Sequence, residues 1–203
     1  VSRRATARLF VAIDPPAEVC DELTAWASVA MKGMGAHGGG SPVRLLDPEL
    51  LHLTLCFLGD RSIAEVAAIE DALAACAEPV GELEIGAPVW LPPRRPRALA
   101  VEVRDDLEGS LAALHSGLLD ALAQACGFAE ERQRRFRAHI TLARMRNDAA
   151  SRRLTDRRPA GERLLPPTPR LSFAPASIVL YRSWLSPAGA AYETLAARTL
   201  APL

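Results

Sequence analysis

The tetrapeptide His-x-Thr-Leu occurs twice in this chain, as His52-Leu53-Thr54-Leu55 and as His139-Ile140-Thr141-Leu142. Histidine is the side chain that takes or gives a proton near neutrality. A threonine hydroxyl donates a hydrogen bond to an anionic oxygen. Each copy sits in a short apolar run that reads as a β-strand. Alternation along a strand places residues i and i+2 on the same face. In each copy the His and the Thr therefore share one face, and the intervening Leu53 or Ile140 and the following Leu55 or Leu142 take the other. Two imidazoles, each with a hydroxyl beside it, are a starting point for acid–base chemistry on a single phosphate.

Those two strands need a scaffold. Arg8 to Ile13 reads as a strand, and Asp14-Pro15-Pro16 ends it and opens a helix to about Met31, with proline near the helix start. The glycine-rich stretch Gly33 to Pro42 lacks the Lys-Ser/Thr ending of a nucleotide-binding loop and reads as a connection. A short strand at Val43 to Leu46 and a turn at Asp47-Pro48-Glu49 lead to the first motif strand, Leu50 to Leu58, closed by Gly59-Asp60. Ser62 and Glu65 have the spacing of a capping box. They open a helix with Ile63, Val66, Ile69 and Leu73 on one face.

Further along, strands are expected at Glu82 to Leu91 and Ala98 to Val103. A helix from about Leu107 to Cys126 buries Leu107, Leu111, Leu114, Leu118 and Leu122 and ends at Gly127. The second motif strand is Arg137 to Ala143. Asn147 to Thr168 is polar and rich in Arg and Pro, and reads as largely irregular. Ala176 to Leu185 and Ala191 to Leu200 read as a closing hairpin. The order strand, helix, His-x-Thr-Leu strand thus occurs at 8–58 and again at 98–143. Two lobes related by a pseudo-twofold would bring the motifs face to face across a cleft.

Composition limits the alternatives. At 203 residues, with 49% apolar and 24% charged residues, the chain is expected to form one domain, 1–203, built of two lobes. No apolar run reaches the ~20 residues of a membrane span. The apolar segment after the basic N-terminus is too short for a signal sequence. A cytoplasmic protein, away from membranes and monomeric, is the expectation. Cys20, Cys56, Cys76 and Cys126 are widely spaced and read as reduced thiols rather than a zinc site. Net charge is zero, which argues against a protein that coats nucleic acid generally. Lys32 is the sole lysine, and Arg132 to Arg170 holds twelve arginines against three acids. That run reads either as a solvated loop in an Arg-biased chain or as a surface for RNA phosphates. His115, at the edge of a helical apolar stripe, reads as a packing residue, and His37 lies among loop glycines.

Taken together, these residues resemble a two-histidine (2H) phosphoesterase, with most similarity to the RNA 2′,3′-cyclic phosphodiesterases, also called 2′-5′ RNA ligases. The resemblance rests on Arg8 to Ile13, Leu51 to Asp60, Pro92 to Arg97, His139 to Arg144 and Val179 to Ser183. It implies an α+β, bilobal, pseudo-twofold fold with two antiparallel sheets, helices on the outside and a central active-site groove. It implies catalytic roles for His52 and His139, phosphate binding by Thr54, Thr141 and Arg144, and a groove lined by Phe10, Phe57, Tyr181 and Arg182. It makes His139 the base and His52 the acid, an order the residues themselves leave open.

The implied reaction is hydrolysis of an RNA 2′,3′-cyclic phosphate end to a 2′-phosphomonoester, with no metal and no cofactor. The implied partner is RNA with such an end, or a cyclic nucleotide. Two other readings stay open at this stage. One is a phosphodiesterase of the same scaffold acting on another cyclic nucleotide or a 2′-5′ linkage, including ligation. The other is a non-catalytic RNA- or nucleotide-binding module. The family commonly has an aromatic residue near Val43-Arg44-Leu45, and here there is none.

Overall fold

The structure is a computed structural model that describes residues 5–32, 43–129, 136–146, 165–186 and 189–202. The glycine-rich stretch 33–42 and the Arg-rich segment 147–164 lie outside the described residues. Nine strands and three α-helices are present among the described residues: β1 (Thr6–Ile13), α1 (Ala17–Lys32), β2 (Val43–Leu45), β3 (Leu53–Ser62), α2 (Val66–Ala75), β4 (Leu83–Leu91), β5 (Ala98–Arg104), α3 (Ser110–Cys126), β6 (His139–Met145), β7 (Ser172–Phe173), β8 (Ser177–Ser186) and β9 (Gly189–Thr199).

All strand pairs are antiparallel. Their order is β7-β4-β5-β6-β3-β1-β8-β9, with β2 also paired to β6. The centre of this order is a weak seam. β3 and β6, the two motif strands, pair at one position only, Leu53 with Ile140. The seam joins two lobes, β3-β1-β8-β9 and β7-β4-β5-β6-β2, into one nine-stranded sheet. Leu53 and Ile140 are both wholly buried, so the seam is sealed by apolar packing rather than by a ladder.

The repeat is visible in the pairing. β1 pairs with β3 and β5 pairs with β6, each strand lying beside the motif strand that follows it in the chain. The helices between them cross over. α1, from the first repeat, packs on β2 and β6, and α3, from the second, packs on β3 and α2. Each lobe is therefore covered partly by the other repeat's helix, which ties the lobes together. α1 turns Val19, Cys20, Leu23, Ala27, Ala30 and Met31 inward at helical spacing. α3 does the same with Leu111, Leu114, Leu118 and Leu122.

Local signals explain most boundaries. Ser62 and Glu65 form the expected capping box, with the Ser62 amide donating to Glu65 and the Ala64 amide donating to Ser62. It caps a 3-10 turn, Ile63–Glu65, that leads into α2. Gly127 ends α3 in the left-handed region at φ 61°. Its amide bonds to Ala123, and that of Phe128 to Leu122.

Several boundaries differ from expectation, three of them instructively. β3 runs on past Gly59, whose φ of 71° absorbs a bulge, and ends at Ser62. β6 begins at His139. α3 begins at Ser110, not Leu107, because Asp105 and Asp106 accept from the amides of Ser110, Leu111 and Ala112 and fix the start there. Leu107 is left fully exposed and is not part of the buried stripe. All four cysteines are free thiols. Among the described residues, no helix is long and apolar enough to cross a membrane.

Candidate active site

The two histidines are held in the same way. His52 stands just ahead of β3, after a 3-10 turn at Pro48–Leu50, and its Nδ1 lies 2.8 Å from the Leu50 carbonyl oxygen. His139 opens β6, with Nδ1 2.7 Å from the Arg137 carbonyl oxygen. In both cases the partner is two residues upstream. A carbonyl only accepts, so Nδ1 carries the proton in each ring. That fixes the tautomer and leaves Nε2 of each ring as the atom for chemistry.

The seam brings the motifs together. With Leu53 opposite Ile140 in an antiparallel pair, one step to either side sets His52 against Thr141 and Thr54 against His139. The two His-Thr pairs thus share one face, as the alternation in each motif requires. His139 and Arg144 both act electrostatically on His52.

Each motif is followed by a β-bulge at the same place. Ala12 pairs with Thr54 and Val11 with Cys56, so Leu55 is the extra residue in β3. Ala100 pairs with Thr141 and Leu99 with Ala143, so Leu142 is the extra residue in β6. A bulge breaks the alternation and re-aims the side chains beyond it. Leu55 and Cys56 are both buried, as are Leu142 and Ala143. The next residues, Phe57 and Arg144, then emerge on the histidine face. Five residues separate each from its His, an odd step that would put it on the wrong face of a regular strand.

Both bulge carbonyls are engaged from outside. That of Leu142 accepts from the Leu46 amide at 2.9 Å, and that of Leu55 accepts from the His115 ring. His115 also stacks on Phe136, centroids 3.9 Å apart, in the segment leading to His139. It therefore does more than pack. It links the bulge of the first motif to the approach of the second.

An aromatic wall supports His52. Phe10, nearly buried at 3% exposure, lies 4.9 Å from the His52 ring, 5.1 Å from Tyr181 and 6.1 Å from Phe57. Tyr192 stands edge-on to His52 at 5.3 Å. The Tyr181 hydroxyl donates to Asp14 at 2.6 Å. Burial, then the bond to Asp14, push the Tyr181 hydroxyl well above its usual pKa, so it stays a donor. His52 is pulled below the usual histidine value, first by burial and further by electrostatic interaction with Arg144 and His139. The Leu50 carbonyl and the Asp14 carboxylate oppose that shift.

Phe10, Phe57, Tyr181, Thr54, Thr141 and Arg144 thus share the groove face with His52 and His139. Arg182 does not. Its neighbour Tyr181 faces Phe10, so alternation turns Arg182 to the opposite side, opposite buried Leu9. There it pairs with Glu193 at 3.5 Å and lies over Trp184. Asp14 and Tyr192 are groove residues that sequence reasoning missed. Tyr192 was within reach of it, since the hairpin register places Tyr192 opposite Ser183. Among the described residues, no three His, Cys, Asp or Glu side chains are grouped so as to hold a metal ion.

The chain is similar to known proteins. The 2′-5′ RNA ligase superfamily matches residues 11–183. A protein of Archaeoglobus fulgidus named RNA 2′,3′-cyclic phosphodiesterase is 31% identical over 140 residues, spanning 68% of this chain and 73% of that protein. Escherichia coli LigT, in a crystal structure with 3′-AMP, is similar with a TM-score of 0.73 and 26% identity, over 98% of this chain and 100% of that one. TT0787 of Thermus thermophilus is similar with a TM-score of 0.73 and 26% identity, over 95% and 97%. Two His-x-Thr strands meeting at one residue pair, in an α+β fold shared along nearly the whole chain, place this protein in the 2′-5′ RNA ligase superfamily of two-histidine phosphoesterases.

Proposed function

We propose that the groove hydrolyses RNA 2′,3′-cyclic phosphate ends to 2′-phosphomonoesters without a metal, using His52 and His139 as the acid–base pair. The observation that carries this reading is the seam. It sets two imidazoles on one face, each with Nδ1 pinned to a carbonyl, which leaves Nε2 for chemistry. The relative named RNA 2′,3′-cyclic phosphodiesterase supports the substrate class. Structures of E. coli LigT with 3′-AMP and with phosphate support a nucleotide in the groove.

In this scheme water attacks phosphorus while one Nε2 takes its proton. The P–O3′ bond breaks, and the other Nε2–H delivers a proton to the departing ribose oxygen. Thr54, Thr141 and Arg144 hold the non-bridging oxygens as charge builds on them. Phe57, exposed, offers an apolar surface beside the nucleoside, with Phe10 packed behind it and His52. Each proton transfer is typically worth about 10²–10⁴ in rate. The test is turnover in EDTA of a short RNA 2′,3′-cyclic phosphate beside a 3′,5′-cyclic nucleotide and a 2′-5′-linked dinucleotide. The first is expected to react at least 10-fold faster. Preference for either of the others moves the assignment within the superfamily.

The pH profile tests His52 itself. A histidine with a depressed pKa loses its proton earlier as pH rises. If His52 is the acid, kcat/KM, which reports the free enzyme, falls on an alkaline limb that begins below pH 6.5. The substrate's negative charge favours the imidazolium, so the same limb in kcat lies at higher pH. Asp14 raises the pKa of His52. Asp14→Asn is therefore expected to move the His52 limb of kcat/KM to lower pH. An unmoved profile would show that His52 does not set that limb.

A further inference from the structure

Arg44 and Arg144 are directly paired across β2 and β6. Residues so paired point to the same face, with Cβ atoms about 5 Å apart, and like charges there repel. The face is the histidine face. Val43 and Ala143, flanking the two arginines, are buried in a shared apolar cluster on the other side, and Arg44 and Arg144 are both exposed. The Arg144 charge reaches His52. Arg44 stands beside it, further along β6 from the seam at Ile140. The Arg44 guanidinium also lies against Gly189, where β9 of the other lobe begins. A side chain added at Gly189 would run into that guanidinium.

We propose that Arg44 forms a second phosphate subsite, beside the scissile phosphate that Arg144 holds, which takes the phosphate on the 5′ side of the nucleotide whose cyclic phosphate lies between the histidines. One phosphate on each guanidinium offsets their repulsion with charge-assisted hydrogen bonds, and an arginine fork suits phosphate oxygens. Arg144 serves the scissile phosphate, and Arg44 beside it equips the site for a substrate with two phosphates. The enzyme then selects RNA ends, and 5′-phosphorylated nucleotides, over a bare nucleoside cyclic phosphate.

This inference rests on the proposed reaction, and the experiment separates the two. Three substrates are compared by kcat/KM: adenosine 2′,3′-cyclic phosphate, its 5′-phosphorylated form, and the adenylyl-adenosine dinucleotide ending in the same cyclic phosphate. The expected result is at least a 10-fold preference for both two-phosphate substrates over the first. In Arg44→Ala that ratio is expected to fall at least 5-fold, and in Arg44→Lys to fall part of the way. Equal use of all three by the wild type, or an unchanged ratio in Arg44→Ala, would overturn the subsite and leave the reaction standing. A preference confined to the dinucleotide would also overturn it, because the second base would then be what is recognised. Failure of the wild type to turn over any of the three would overturn the reaction and the subsite together.

Discussion

Replacing His52 or His139 by alanine is expected to lower kcat/KM on an RNA 2′,3′-cyclic phosphate by 10²–10⁴-fold, roughly 3–5 kcal/mol of transition-state stabilisation. In the proposed reaction both rings act through Nε2, and the carbonyls of Leu50 and Arg137 hold them in that tautomer. Proton removal from water and proton delivery to the leaving oxygen belong to one displacement. The double variant is therefore expected to be little slower than the slower single one, since parts of one unit are not additive. His52 also packs against Phe10 and Tyr192, so its loss perturbs local packing. Thermal melting of each variant separates that effect from lost chemistry. Activity within 5-fold of wild type in either folded variant would remove that histidine from the reaction.

Arg144→Ala is expected to cost 10²–10³-fold, the scale of removing one preorganised donor from developing negative charge. Arg144→Lys is expected to fall between, because a planar fork becomes a point charge. A second readout distinguishes this from general damage. The positive charge of Arg144 lowers the His52 pKa. Removing it raises that pKa, so the His52 limb of kcat/KM is expected to move to higher pH in Arg144→Ala. That direction is opposite to the one expected for Asp14→Asn. Profiles of the two variants that move the same way, or do not move, would contradict the electrostatic account of the groove.

Much of this site was legible in the sequence because it follows from short-range rules. The alternation in His-x-Thr, the capping box at Ser62 and the glycine after α3 are local, and each is present. Pairing of the two motifs was legible from their repetition. The reason Arg144 reaches the groove was not. Plain alternation puts it on the core face, and only a bulge at Leu142 corrects that. Leu55 and Leu142 are ordinary apolar residues, and nothing in their type marks a bulge. Arg182 was misplaced for the complementary reason. It follows Tyr181 in a strand with no irregularity in its pairing to β1, so the two face opposite ways.

Leu107 continued the helical spacing of α3 but lost to the capping carboxylates of Asp105 and Asp106. Asp14, Tyr192 and the bond from His115 to Leu55 depend on how separate strands and helices close on each other. The Arg-rich segment that suggested an RNA surface falls largely outside the described residues. The fold does place Arg144 on the histidine face, paired with Arg44 from a segment that drew attention only for its missing aromatic.

The most direct measurement is product analysis, by phosphorus NMR, of a short RNA ending in a 2′,3′-cyclic phosphate, incubated with the protein in EDTA. Complete conversion to the 2′-phosphomonoester is expected, with the rate unchanged by the chelator. Recovery of intact cyclic phosphate from a folded sample, or turnover only after a divalent metal is restored, would contradict metal-free catalysis by the two histidines.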